Sequence, residues 1–364
     1  MKKFAFLAHV RTSYRDDLKR WAKPLGWVPD AVYRYALQNR PIPPFVWSKV
    51  TITPGATQAE GYIIMLPYTG RQLLEQQKAM LPLVDKAIKV AADAGADILG
   101  LGALTSPITL GGKLVINNPH ISITNGNAYT AVITWQKVAQ LIRQSANPFP
   151  VVALVGATGS VGSLVSHLLA TYQPDADYLL VARNERKLNQ LAFEMTATNA
   201  RVRPHISLQI TDVKQADIVV LLTSAADSIL HSEHLKTGAI VLDDTQPRNT
   251  HPDILIKRPD VSIIDGGLVS MPHMKLTSDI GLPPGLSYAC LAETMLLAKA
   301  GHEGHFSIGN PTIEQAEFIS RAAQQFTHLG FGLAPDHSFG KRISIESPSF
   351  SRSSAQSLVF ERTV

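Results

Sequence analysis

Cys290 is the only cysteine among 364 residues, and it stands near the start of a helical run, Leu286 to Gly301 (LSYACLAETMLLAKAG). Pro283, Pro284 and Gly285 break the chain before it. Ser287 is the expected N-cap, which puts Cys290 at the third helical position. A thiol there meets unsatisfied backbone N–H groups and the positive end of the helix, which favour thiolate over thiol. A free cysteine is also an ordinary small core residue, so its chemistry depends on what else the chain supplies.

The chain also supplies a glycine turn. Gly156-Ala-Thr158-Gly159-Ser160-Val161-Gly162 lies between the strand-like VVALV and a run whose apolar residues recur with helical spacing. Glycines there let the backbone approach a pyrophosphate, and the free N–H groups of the helix start face it. The next strand ends in Arg183 and Asn184 rather than in the acidic residue that would bind a ribose 2′-hydroxyl. A guanidinium at that place suits a 2′-phosphate, so the expected cofactor is NADPH. A thiolate beside a nicotinamide can accept an acyl group from a thioester and have it reduced to an aldehyde. Semialdehyde dehydrogenases also pair a GATGxxG loop with a downstream cysteine, in a differently worded segment and with the nucleotide domain first.

The elements that must position these groups read as α/β. Apolar runs at 151–157, 178–183, 206–210, 217–224, 238–244 and 261–267, interleaved with helices or loops, predict a doubly wound parallel Rossmann sheet over 150–285. Strand-like runs at 4–10, 49–54, 61–67 and 97–104, with helices over 71–95 and 127–146, predict an N-terminal α/β substrate domain over 1–149. Helices within 286–335 are expected to return to that domain and close a cleft. Residues 336–364 hold eight serines and no periodicity, and are expected to be disordered.

Composition narrows the function class. A 45% hydrophobic and 17% charged chain fits a soluble globular protein. A single thiol excludes an internal disulfide and suits a cytoplasmic location. No apolar run reaches the ~18 residues of a membrane span. Residues 1–49 carry ten basic against three acidic side chains, a field that suits an acidic partner. No zinc finger, aromatic RNA-binding motif or arginine run points to nucleic acid, and no His–carboxylate spacing points to a catalytic metal.

The wording FAFLAH (4–9), GALTS (102–106), T-x-GN-x-x-TA (Thr124 to Ala131), VALVGATGSVGS (152–163), VARNERKL (181–188), IIDGGLV (263–269), ACLAETMLL (289–297), GNPTIEQAE (309–317) and HLGFGLA (328–334) resembles the long-chain acyl-[acyl-carrier-protein] reductase family. The resemblance covers residues 1–335. It implies a shikimate-dehydrogenase-like arrangement, Cys290 as acyl acceptor and NADPH on the glycine loop. It also implies an acyl carrier protein or acyl-CoA as donor, and an aldehyde-consuming enzyme as a further partner. Thr105, Ser106, Asn127 and Thr130, in loops that share the wording, become candidates to bind the acyl carbonyl, although a turn or cap hydrogen bond is the more common role for each. The segment VLDDTQPRN (241–249) departs from the glycine-rich wording of the family. Two other readings of the residues stay open: a hydroxy-acid or shikimate-type dehydrogenase without covalent catalysis, and a non-catalytic NADPH-sensing regulator.

Overall fold

The computed structural model describes residues 2–10, 13–21, 23–39, 42–173 and 175–344. The chain divides into two units: Met1–Asn127 with Val269–Gly309 and Ala322–Gly332, and Ala128–Leu268 with Asn310–Arg321 and Leu333–Val364. The first crossing falls at 127 rather than near 149. The helix Asn127–Gln144 counts with the second unit because its Trp135 packs on Tyr172, ring centroids 5.3 Å apart.

In the first unit, β1 (Phe4–Val10), β2 (Phe45–Thr51), β3 (Gly61–Thr69), β4 (Ile98–Leu101) and β5 (Ser122–Thr124) form one sheet with the short strand Lys275–Leu276. The order is 275–276, β2, β3, β1, β4, β5. β1 pairs in parallel with β3 and β4, and β2 runs antiparallel to β3. Side chains alternate across a strand, so each buried strand feeds two layers. Ala5, Leu7, Leu99 and Leu101 pack with Met80, Val84, Ala87, Ile88 and Ala91 of the helix Gln77–Asp93. Phe6 and Gly100 face the opposite layer, where Thr294 of the helix Ala289–Lys299 sits. A Cβ on Gly100 would stand 2.0 Å from the Thr294 hydroxyl, so only glycine lets that helix settle on β4. The helix expected over 71–95 is interrupted at Gln76, which leaves helical geometry (φ −120°, ψ 34°) between Gly70–Glu75 and Gln77–Asp93.

In the second unit, β6 (Val151–Val155), β7 (Asp177–Val181), β8 (Pro204–Ser207), β9 (Ile218–Leu221), β10 (Ile240–Asp243) and β11 (Ser262–Asp265) form an all-parallel sheet in the order β11, β10, β9, β6, β7, β8. This is the doubly wound order, reversing between β6 and β9. Ala153, Val155, Val219, Leu221, Val241 and Ile263 build the core of one face.

The expectation of a disordered end from 336 is corrected in part. His337–Ser338 and Lys341–Arg342 form a hairpin. The Asp265 carboxylate accepts the N–H groups of Phe339 (3.0 Å) and Gly340 (2.7 Å), while Arg248 binds the same carboxylate and stacks on the Phe339 ring. Satisfied backbone groups and a buried ion pair hold this segment in place despite its polar composition. Residues 345–364 of that predicted tail lie outside the described residues.

Candidate active site

Cys290 is the second residue of the helix Ala289–Lys299, one position nearer the terminus than expected. The N-cap is Tyr288, not Ser287. Leu286–Tyr288 stays extended as a short strand, and the Ser287 hydroxyl donates to the Tyr288 carbonyl instead of capping the helix. From Ala289 to Ala298 every residue of the helix is buried except Cys290, which is half-buried. Between Ala289 and Ala298, Cys290 is thus the one position that is not fully covered.

The turn Thr124-Asn125-Gly126-Asn127 is built against this cysteine. Gly126 has φ +76°, and a Cβ there would stand 2.3 Å from the Cys290 Cβ and 2.6 Å from its Cα. Thr124 Oγ1 donates to Oε1 of Glu293 at 2.5 Å, one helical turn beyond Cys290. The fully buried Glu293 thus ties the helix to the turn. Asn125 locks the turn from behind: its amide donates to the Gly309 carbonyl (2.9 Å), its N–H to the Ser307 carbonyl (2.9 Å), and its side-chain oxygen accepts the Asn127 N–H (3.0 Å). His305 Nδ1 accepts the Ile123 N–H at 3.0 Å, a structural task for a histidine near Cys290 in sequence. None of Asn125, Gly126 and Glu293 stands among the residues expected at the site. The TNGN wording is the sequence signal for Asn125 and Gly126, and the ACLAETMLL wording that for Glu293.

Of the expected carbonyl-binding residues, Asn127 adjoins Gly126 in this turn. Thr130 lies one turn into the helix Asn127–Gln144, where its carbonyl accepts the Thr134 hydroxyl at 2.8 Å. Thr105 and Ser106 are buried in the short helix Thr105–Ile108. The Thr105 hydroxyl donates to the Gly102 carbonyl at 2.7 Å, and the Ser106 carbonyl accepts the Gly111 N–H at 2.8 Å. His9 anchors the loop before them: Nε2 accepts the Leu104 N–H (3.2 Å), and Nδ1 lies 2.7 Å from the Val10 carbonyl. Nδ1 is therefore the protonated nitrogen.

The glycine turn has the shape of a phosphate cradle. Gly156 (φ +91°) passes close to the end of β9, its absent Cβ falling 2.8 Å from the Leu222 carbonyl. A Cβ on Gly162 would stand 2.3 Å from the Gly156 carbonyl. Gly159 caps the helix Ser160–Tyr172 without a side-chain bond, and the first intrahelical donor is Ser163, to the Gly159 carbonyl (2.8 Å). The helix start at Ser160–Gly162, with its positive end, borders the turn, the place an anion takes in such a fold. Thr158 lies in the turn itself. A dinucleotide pyrophosphate fits this cradle.

Arg183 follows β7, exposed and without an ion pair among the described residues. Asn184 is the N-cap of the helix Glu185–Thr198, its oxygen accepting the Lys187 N–H at 3.0 Å. Asn249, in the divergent segment, is a further organiser. It is fully buried, its amide donates to the Ala225 and Asp227 carbonyls, and its oxygen lies 2.5 Å from the Thr223 hydroxyl, which fixes the loop after β9. Asp243 shapes the neighbouring turn by accepting bonds from the N–H and hydroxyl groups of Thr245 and Thr250. Burial pushes its carboxyl up despite those bonds. Among the described residues no group of three or more His, Cys, Asp or Glu is placed to hold a metal, and no helix is long and apolar enough to cross a membrane.

Comparison with known proteins agrees with the second unit. Residues 151–263 match the family model "Semialdehyde dehydrogenase, NAD binding domain". The chain is 26% identical over 359 residues to the aminotransferase PigE of a Serratia species, covering 94% of this chain and 41% of that protein, so it spans less than half the length of this relative. It is 26% identical over 304 residues to a long-chain acyl-[acyl-carrier-protein] reductase of Synechococcus elongatus, covering 77% of this chain and 86% of that protein. Among solved structures, AibC aligns with 18% identity over 55% of this chain and 51% of its own (TM-score 0.30). The D-arabinose dehydrogenase of Sulfolobus solfataricus aligns with 13% identity over 51% and 54% (TM-score 0.29). The glycine cradle, the strand order and the matched model make the second unit an NAD(P)-binding domain.

Proposed function

We propose that the chain reduces a long-chain fatty acyl thioester, carried by acyl carrier protein or CoA, to the fatty aldehyde with NADPH through an acyl group on Cys290. The observation that carries this reading is the half-open cysteine at the second position of an otherwise buried helix. A cysteine kept for packing would be covered like its neighbours, whereas a nucleophile needs an open face and a positive environment. The reductase of Synechococcus elongatus supports the choice of substrate.

The Cys290 thiolate attacks the thioester carbonyl. A carbon–sulfur bond forms to Cys290, the bond to the carrier sulfur breaks, and the carrier leaves as a thiol with the proton Cys290 gave up. Bound NADPH supplies a hydride. With that hydride and one proton the acyl-cysteine becomes a thiohemiacetal; breaking its carbon–sulfur bond releases the aldehyde and restores the cysteine. Both halves build negative charge on the carbonyl oxygen, which the positive end of the helix that carries Cys290 is suited to stabilise. Arg183 would pair with the 2′-phosphate, and the N–H groups of residues 160–162 would hold the pyrophosphate. Within the first 49 residues the basic excess supports docking of an acidic carrier protein.

Intact-mass measurement after mixing with palmitoyl carrier protein in the absence of NADPH tests the proposal. The expected result is an acyl adduct that is absent in Cys290→Ala while NADPH binding is unchanged. Aldehyde formation that persists in Cys290→Ala would overturn it in favour of a dehydrogenase without covalent catalysis.

A further inference from the structure

The end of β10 carries a carboxyl that the proposed acyl chemistry leaves without a task. Asp244 follows Asp243 at the C-terminal edge of the dinucleotide sheet, the edge that also bears the glycine cradle beyond β6. Its N–H donates to the Leu221 carbonyl at 3.1 Å. Its side chain fills a slot that two glycines leave open: a Cβ on Gly267 would stand 2.1 Å from Oδ1, and one on Gly266 would stand 3.0 Å from the Asp244 Cβ.

The other carboxyl oxygen, Oδ2, contacts the Thr134 hydroxyl. That hydroxyl also lies 2.8 Å from the Thr130 carbonyl, one turn back in its own helix. A hydroxyl has one proton to give. Shared between the Thr130 carbonyl and Asp244 Oδ2, that single proton cannot satisfy both acceptors, so the carboxylate form of Asp244 is only partly compensated. The charged groups around it do not oppose this. Asp243 is a like charge next door, Asp265 is taken by Arg248 and two N–H groups, and Lys137, one turn beyond Thr134, is paired with Asp336. Burial drives the Asp244 carboxyl up to about 7, with Thr134 acting downward and Asp243 upward.

In this fold the strand after the glycine cradle, β7, serves the adenosine half of a dinucleotide, so β9 to β11, across the switch in strand order, serve the nicotinamide half. The geometry points to Asp244 as a further cofactor-positioning residue that reads the charge of the nicotinamide. Neutral, it accommodates the uncharged reduced ring; ionised, it favours the oxidised cation. This rests on the dinucleotide site alone and is independent of the acyl step, so Cys290→Ala leaves it untouched.

Dissociation constants for NADPH and NADP+ measured by fluorescence titration from pH 6 to 8.5 test it. The ratio of the NADPH constant to the NADP+ constant cancels the titration of the shared phosphates. It should rise about tenfold across this range in the wild type, as expected for a unit charge near a cation, and stay constant in Asp244→Asn. A constant ratio in the wild type, or the same rise in both proteins, overturns the proposal. Failure of either protein to bind either nucleotide at any pH overturns the dinucleotide assignment and the proposal with it. As a check that needs no variant, the 13C-detected carboxyl titration of Asp244 should move up with NADPH bound and down with NADP+, since linkage is reciprocal. Identical midpoints with both nucleotides would also sink it.

Discussion

Gly126 and Cys290 are fitted to each other: a methyl group on the glycine would fall 2.3 Å from the cysteine Cβ, inside the closest approach two carbons make. The backbone turn is therefore moulded to the cysteine, and disturbing the turn should disturb the thiol.

Gly126→Ala combines that clash with a φ of +76°, unfavourable for any residue with a Cβ. Overpacking costs about 1–3 kcal/mol. The expected result is a lowered Tm by calorimetry and a sharply reduced rate of acyl-adduct formation, with NADPH affinity unaltered.

Thr124→Val removes the hydroxyl that donates to Glu293. Leaving a buried carboxyl oxygen without its donor costs about 1–3 kcal/mol. Thermal melts should show the loss in Thr124→Val and most of the stability restored in Thr124→Ser.

Arg183→Ala removes the guanidinium that the proposed function pairs with a 2′-phosphate. A charge-assisted bond contributes about 1.5–3 kcal/mol, so NADPH should bind roughly 10- to 100-fold more weakly while NADH affinity is unchanged. Equal weakening of both nucleotides would assign the preference elsewhere.

The far end of the cysteine helix is held by Lys299, which donates to Glu60 (2.6 Å) and to the Thr53 hydroxyl (2.7 Å). Burial pushes Glu60 up, but bonds from Lys299, Thr53 and the Ile52 N–H outweigh it and bring the carboxyl down to about 2. A depressed folded value means the stabilisation is complete above the ordinary value of 4.5 and is lost as pH falls from there towards 2. Glu60→Gln should reduce stability at pH 7 and flatten its decline between pH 5 and 2, measured by urea unfolding across pH. Lys299→Met, which leaves the partly buried Glu60 carboxylate without its cation, should cost more than Glu60→Gln.

Much of the dinucleotide unit is legible in the sequence because buried parallel strands are continuous apolar runs and the phosphate turn lies between one of them and a helix. VVALV, DIVVLL and VSIID name their strands directly, and the glycine spacing names the cradle. The α/β class, the parallel sheet and an NAD(P) site follow from these local patterns alone.

The cysteine environment is different in kind. Position 290 and its glycine-bounded helix start are local facts, but which face of that helix is open is not. The helix has no amphipathic stripe to mark an outside, and its packing on β1 and β4 leaves Cys290 partly uncovered. The same holds for Asn125, Glu293 and Asn249, polar residues that each have a partner 22 to 184 positions away, and for the 337–342 hairpin, which the serine-rich wording of the tail disguises and Asp265 anchors. Local propensity decides where a strand or a turn begins; long-range contacts decide which side of it is buried, and for this chain that second decision sets what the thiol can meet.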